Sequence, residues 1–319
     1  TLSAGGGAQG GDGGFAEVSG HYLDFAARAD LRAPHGTAGS LLLDPNDITI
    51  QAAGPTTAGF AGLTFSGGPA SSILTTSDLQ AQLGLGSVTV STAGGSGGPQ
   101  GGHIPMASLV SWAAGGFLTL DADNGISIDG AITGPGDGRL ELVSRGGDIT
   151  QTAPIDITYL VVNSAGNASL NTVDNGVGVI AAQVGLGHSF QFRNGGSLLV
   201  SSLNGVNGIS APSGSIFLYA SGDITQIAGA DLFASNANIQ ASNVILTEPN
   251  SVNVLSGALI GGSASNTFSF AAGGGLTVGG GGIQAGNGDV TLSTGDGPLA
   301  LNSPVVTGGG AVSLSAGAG

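Results

Sequence analysis

Leu118-Thr119-Leu120-Asp121-Ala122-Asp123-Asn124-Gly125-Ile126-Ser127-Ile128 contains two runs of alternating apolar and polar residues, joined by an Asp/Asn/Gly corner. The same pattern returns as Leu140-Glu141-Leu142 before Gly147-Asp148-Ile149-Thr150, and as Ile216-Phe217-Leu218 before Gly222-Asp223-Ile224-Thr225-Gln226. Val290-Thr291-Leu292 leads in the same way, through Gly295-Asp296-Gly297-Pro298, to Leu299-Ala300-Leu301. Period-two alternation marks half-buried strands, and Gly, Asp and Asn accept the positive φ values that tight bends require. Each unit therefore reads as strand, corner, strand.

The Gly-Asp-Ile-Thr-Gln element at Gly147–Gln151 recurs at Gly222–Gln226, and a looser Gly-Asp-Val-Thr recurs at Gly288–Thr291. These separations divide into coils of about 22–25 residues, the range of repeats that stack one supersecondary unit on the next. No helical period separates the strands, so the expected fold is all-β: a parallel β-helix, right-handed by the usual crossover sense. At ~4.8 Å per rung the chain predicts about 13 rungs and a rod of roughly 60 Å. It reads as a single β-helix domain over 1–319, with loop and helix outgrowths concentrated in 1–105 and regular rungs over 106–319. Leu79 and Leu83 follow a Ser/Asp capping signal at helical spacing, which predicts a short protruding helix near 75–83. Gly94–Gly102 and Gly5–Gly14 read as Gly-rich loops.

Composition agrees. The 319 residues include 63 Gly and no Cys, and 40% are hydrophobic while only 8% are charged. A disordered tail needs the opposite balance, and collagen needs a Gly-X-Y period that is missing. A net charge of −15, with Arg28, Arg32, Arg139, Arg145 and Arg193 as the cations, repels phosphate backbones and anionic lipid. Neither a nucleic-acid partner nor membrane insertion is expected, since no apolar run approaches the roughly 20 residues of a spanning helix. The chain begins at Thr1 without a signal-peptide pattern, as expected of a mature or excised piece.

Gly13-Gly14-Phe15-Ala16-Glu17-Val18-Ser19-Gly20, followed by Ser40-Leu41-Leu42-Leu43-Asp44-Pro45, resembles the stretch after the haemagglutination-type domain of large exoproteins of two-partner secretion, typified by filamentous haemagglutinin. Asp78-Leu79-Gln80 before Val88-Thr89-Val90-Ser91-Thr92 is similar to that family's next segment. The likeness covers about the first 105 residues; beyond them only the repeat style agrees. It implies a β-helix passed through an outer-membrane transporter and left outside a Gram-negative cell, at its surface or released. No Asn-Pro-Asn-type secretion motif is present, so an interior or C-terminal portion is implied.

Candidate sites are few. Asp121, Asp123 and Asp129 around Asn124-Gly125 resemble the start of a calcium loop, because hard oxygens at alternate positions suit Ca2+; the competing reading is a rung corner. No other cofactor is implied. Gly286-Asn287-Gly288-Asp289 is a weaker calcium candidate. His21, His35, His103 and His188 show no metal-ligand spacing. The aromatics Trp112, Phe117, Tyr159, Phe190, Phe192, Phe217, Tyr219, Phe268 and Phe270 offer either a sugar-binding platform or core stacking; alternating pairs favour stacking.

Three functions compete: a non-catalytic adhesive rod presenting Thr, Ser and Asn to a glycan or surface; a filament or matrix subunit stacking end to end; and a polysaccharide-active enzyme using Asp121 and Asp123. Thr1–Ala4 and Val312–Ala316 both read as rung sequence, which favours end-to-end self-association. The expected activity is none.

Overall fold

The computed structural model describes residues 2–19, 28–44, 47–53, 72–92, 101–113, 116–261 and 263–317. It is a β-solenoid of about 12 turns, all-β except for one short helix. The chain divides into two compact units, residues 1–158 and 159–319.

In the first unit the coils stack as three parallel columns. The strands Phe15–Ser19, Ser40–Asp44, Ser87–Ser91, Leu118–Ala122 and Arg139–Ser144 form one. Its register runs Leu41↔Val88↔Leu118↔Leu140, and all four side chains are fully buried. Ile104, Ile126 and Ile149 line up in the second column, and Val110, Ile132 and Ile155 in the third. Alternation decides the inward set: Leu120 and Ala122 turn in while Thr119 and Asp121 turn out. Burying each such aliphatic side chain stabilises by about 1.5–3 kcal/mol.

Glycine has a specific task where these coils turn. Gly39, Gly86 and Gly116 each precede a strand, and a Cβ on any of them would run into the carbonyl oxygen of the glycine one rung back (Gly14, Gly39 and Gly86 respectively). The backbones approach so closely at this corner that no side chain fits.

The helix Thr76–Leu83 is present, capped by Thr75, whose hydroxyl accepts the Asp78 amide. It does not protrude. Thr76, Leu79, Gln82 and Leu83 are buried, and the Gln82 side chain makes a two-way pair with the Ala29 backbone: Nε2 donates to the Ala29 carbonyl (2.6 Å) and Oε1 accepts the Ala29 amide (3.0 Å). The Gln80 Oε1 accepts the Ser111 amide at 2.9 Å. The helix thus stands in the wall between Ala29–Asp30 and Val110–Ser111, with side-chain amides replacing the backbone ladder on both sides. Leu79 and Leu83 predict a helix with one apolar face; the bulk and polarity of two glutamines at ladder positions make it part of the coil.

The second unit is built of long, bulged strands. Ala168, Phe190, Ile216, Ala237, Leu255 and Val278 are successive partners in one column, and Leu198, Ile224, Val244, Phe268, Val290 and Val312 in another. The three rungs from Ile224 through Val244 and Phe268 to Val290 match the three coils expected between Asp223 and Asp289. Phe190, Phe192, Phe268 and Phe270 are core, the first two stacked at 6.2 Å.

Candidate functional site

The three aspartates singled out for calcium lie at the two ends of the Ile126–Ile128 strand. Asp121 leaves the Leu118–Ala122 strand outward and meets Arg145 from the next coil in a fork, Nε to Oδ1 at 2.9 Å and Nη2 to Oδ2 at 2.7 Å. That pair raises the Arg145 pKa, through the hydrogen bond first and then the charge of Asp121. The backbone amide of Asp123 is tied to the Thr92 hydroxyl at 3.0 Å. Asp129 lies at the far end of the Ile126–Ile128 strand, where it accepts the Thr152 hydroxyl at 2.8 Å. One strand therefore separates Asp123 from Asp129, and no group of three or more His, Asp or Glu suited to a metal is found among the described residues. Asp121, the Asp123 amide and Asp129 each bond an adjacent coil, which is what the competing reading of a rung corner requires. Asp289 behaves likewise, accepting the Ala311 amide at 2.7 Å.

Beside this corner the outer face of the second column forms an open groove of about 620 Å3, lined by His103, Pro105, Asn124, Ser127, Asp148 and Thr150 among others. Pro105, Ser127 and Thr150 are register partners on successive rungs. The His103 amide donates to Asp47 at 2.8 Å. Sequence spacing could not bring His103 and Asp148 to one groove, because only stacking places their corners on either side of Gly125. His21, Pro45, Asn46 and most of Gly94–Gly102 lie outside the described residues.

No family model, curated protein or solved structure matches this chain. The likeness to two-partner exoproteins therefore rests on its quoted residues. Fold geometry gives their spacing a reason. Phe15–Ser19 and Ser40–Asp44 are neighbouring rungs paired from Phe15↔Ser40 to Ser19↔Asp44, and Asp12 accepts the Thr37 amide at 2.8 Å across the same two coils.

In the second unit the buried polar residues hold corners. Asn194 donates from Nδ2 to the carbonyls of Val177, Gly196 and Ser197, and its Oδ1 accepts the Val177 amide. Asn250 donates to the carbonyls of Leu246, Glu248 and Ala271, accepts the Leu232 amide at 2.8 Å, and pairs with Gln226, the last residue of Gly-Asp-Ile-Thr-Gln. These amides close backbone groups that strand bulges leave open. Asp231 is the exception: its Oδ1 is buried with no hydrogen-bond partner, and burial followed by the nearby Glu248 charge raises its pKa.

One feature escaped the sequence reading. The Asn204-Gly205 pair, the strongest two-residue hairpin signal, forms the antiparallel hairpin Ser202–Leu203/Val206–Asn207, with φ of 49° and 82° at its tip. Of the aromatics read as either a platform or core stacking, Phe217 turns outward: it is 44% exposed, and the Arg193 guanidinium lies 4.3 Å over the Tyr219 ring.

Proposed function

We propose that this chain is a non-catalytic structural and adhesive segment of a secreted bacterial surface protein, of the exoprotein kind its first 105 residues resemble. Export through an outer-membrane transporter to the surface of a Gram-negative cell follows from that resemblance. The observation that carries the reading is the use made of polar side chains: Asn194, Asn250, Gln226, Gln82 and the Asp121–Arg145 fork are all engaged in joining one coil to the next. Chemistry elsewhere spent on a convergent site is here spent on continuing the ladder. Outward Ser, Thr and Asn on successive rungs supply the adhesive surface.

Further stacking belongs to the same reading. In the last described coil Val312 and Leu314 pair with Val290 and Leu292, which are fully buried, yet are themselves 46% and 44% exposed.

Electron microscopy of the purified protein, with and without millimolar calcium, tests this. Isolated short rods support the adhesive segment and continuous thin fibres the stacking subunit. Compact particles that degrade acidic polysaccharide, with turnover lost in the Asp121→Asn/Asp123→Asn double variant, would establish the enzyme alternative instead.

A further inference from the structure

We infer that the outer sheet around Phe217 is a binding platform for a neutral glycan, an inference that rests on the adhesive reading and gives it a place. Two in-register rows cross this face. Gln191, Phe217, Asn238 and Ser256 form one, and Arg193, Tyr219, Gln240 and Ala258 the other. Two aromatic rings, two residues apart on one strand, are therefore flanked by Gln191 and Arg193 on one side and by Asn238 and Gln240 on the other, each about one rung spacing of ~4.8 Å away.

The amides are already ordered. Asn171 donates to the Gln191 Oε1 at 2.9 Å, Asn238 to the Ser256 hydroxyl at 2.8 Å, and Gln240 to the Asn238 Oδ1 at 3.0 Å. Each amide carries two donors and a carbonyl, so after these bonds the Gln191 Nε2 and Gln240 Oε1 remain without a partner among the described residues. Arg193 covers one face of Tyr219, which braces that ring and leaves Phe217 as the open surface. An exposed flat ring with donors and acceptors at its rim matches a pyranose, whose C–H face is apolar and whose edge is a ring of hydroxyls. A few placed polar groups around an apolar floor are the general form of a small-ligand site.

Charge selects the class of sugar. Arg193 is the only cation of the patch, and its Nε sits 2.6 Å from Asp174. The chain as a whole carries −15. A uronate or sulfated glycan would meet no free cation and would be repelled at long range; an uncharged one would not.

The test is saturation-transfer NMR and titration with cellohexaose, mannohexaose and N-acetylchitohexaose, with a heparin hexasaccharide as the charged comparator. At least one neutral hexasaccharide is expected to bind. Phe217→Ala should weaken it at least tenfold, Gln191→Ala and Gln240→Ala several-fold each, and Phe217→Trp should retain it. Phe15→Ala and Phe233→Ala, at least as exposed and outside the two rows, should leave it unchanged. Binding of none of the neutral probes, of heparin alone, or of a neutral probe indifferent to Phe217→Ala overturns the assignment. Rods seen by microscopy alongside any of those results would leave the structural role standing and remove only this site.

Discussion

Replacing Asn250 with alanine should cost the second unit about 3 kcal/mol. The residue is fully buried, and its side chain accepts the Leu232 amide while donating to the Leu246, Glu248 and Ala271 carbonyls and bonding Gln226. Alanine removes every one of these partners. Counting only the Leu232 amide and a single carbonyl as stranded, at about 1–3 kcal/mol each, gives a loss of about 2–6 kcal/mol. Asn171→Ala, which removes an exposed amide, should stay within about 0.5 kcal/mol. Urea unfolding followed by circular dichroism measures the difference. Repeat proteins can unfold coil by coil, so hydrogen exchange at the Leu232 amide gives a local reading, expected to accelerate by more than a hundredfold. A stability change under 1 kcal/mol, with that amide still protected, would refute the idea that buried amides hold the corners.

Gln82→Ala should destabilise the first unit by about 2 kcal/mol and expose the Ala29 amide to exchange, since it deletes both bonds of the pair; unchanged protection at Ala29 would mean the helix is held by Leu79 and Leu83 alone. Gly39→Ala should cost about 1–3 kcal/mol by overpacking, read as a lower midpoint in denaturant, whereas an unshifted midpoint would show the Gly14–Gly39 approach to be loose. Asp231→Asn should raise the melting temperature at pH 7. A carboxylate whose folded pKa is raised loses stability as pH climbs from its unfolded value, about 3.9, through the folded one. The advantage of the variant should therefore vanish toward pH 3, and an advantage independent of pH would point away from ionisation. Calcium at 5 mM should leave the melting temperature unchanged because Arg145 occupies Asp121; a rise abolished by Asp123→Asn would restore the calcium reading.

Much of the fold was legible because the period is written twice, in alternation and in corners. Leu118-Thr119-Leu120 and Leu140-Glu141-Leu142 stack in direct register, as do Ile126 and Ile149 after their Gly-containing corners. The short helix was legible from Leu79 and Leu83, but its place in the wall was not, since that depends on Ala29 and Ser111, which are distant along the chain. The Asn204-Gly205 hairpin had a plain local signal that the coil period masked. Site residues were least legible. The calcium pattern at Asp121–Asp129 looked local, while the partners that define it, Arg145 and Thr152, belong to the following coil. Gln191, Phe217 and Gln240 likewise meet only through register.

The in-register stacking of the column from Val244 to Val290 has a consequence for how such a molecule changes over generations. Val244 and Phe268 each present the next rung with the same inward position, as do Phe268 and Val290. Excising one whole turn would bring together two edges that already fit, and duplicating one would insert a piece that fits on both sides. Length is then nearly free to drift, while a gain or loss of one residue inside a strand reverses every side chain beyond it. Selection on such a chain falls on whole turns, and reach becomes a trait that recombination adjusts without redesigning the core.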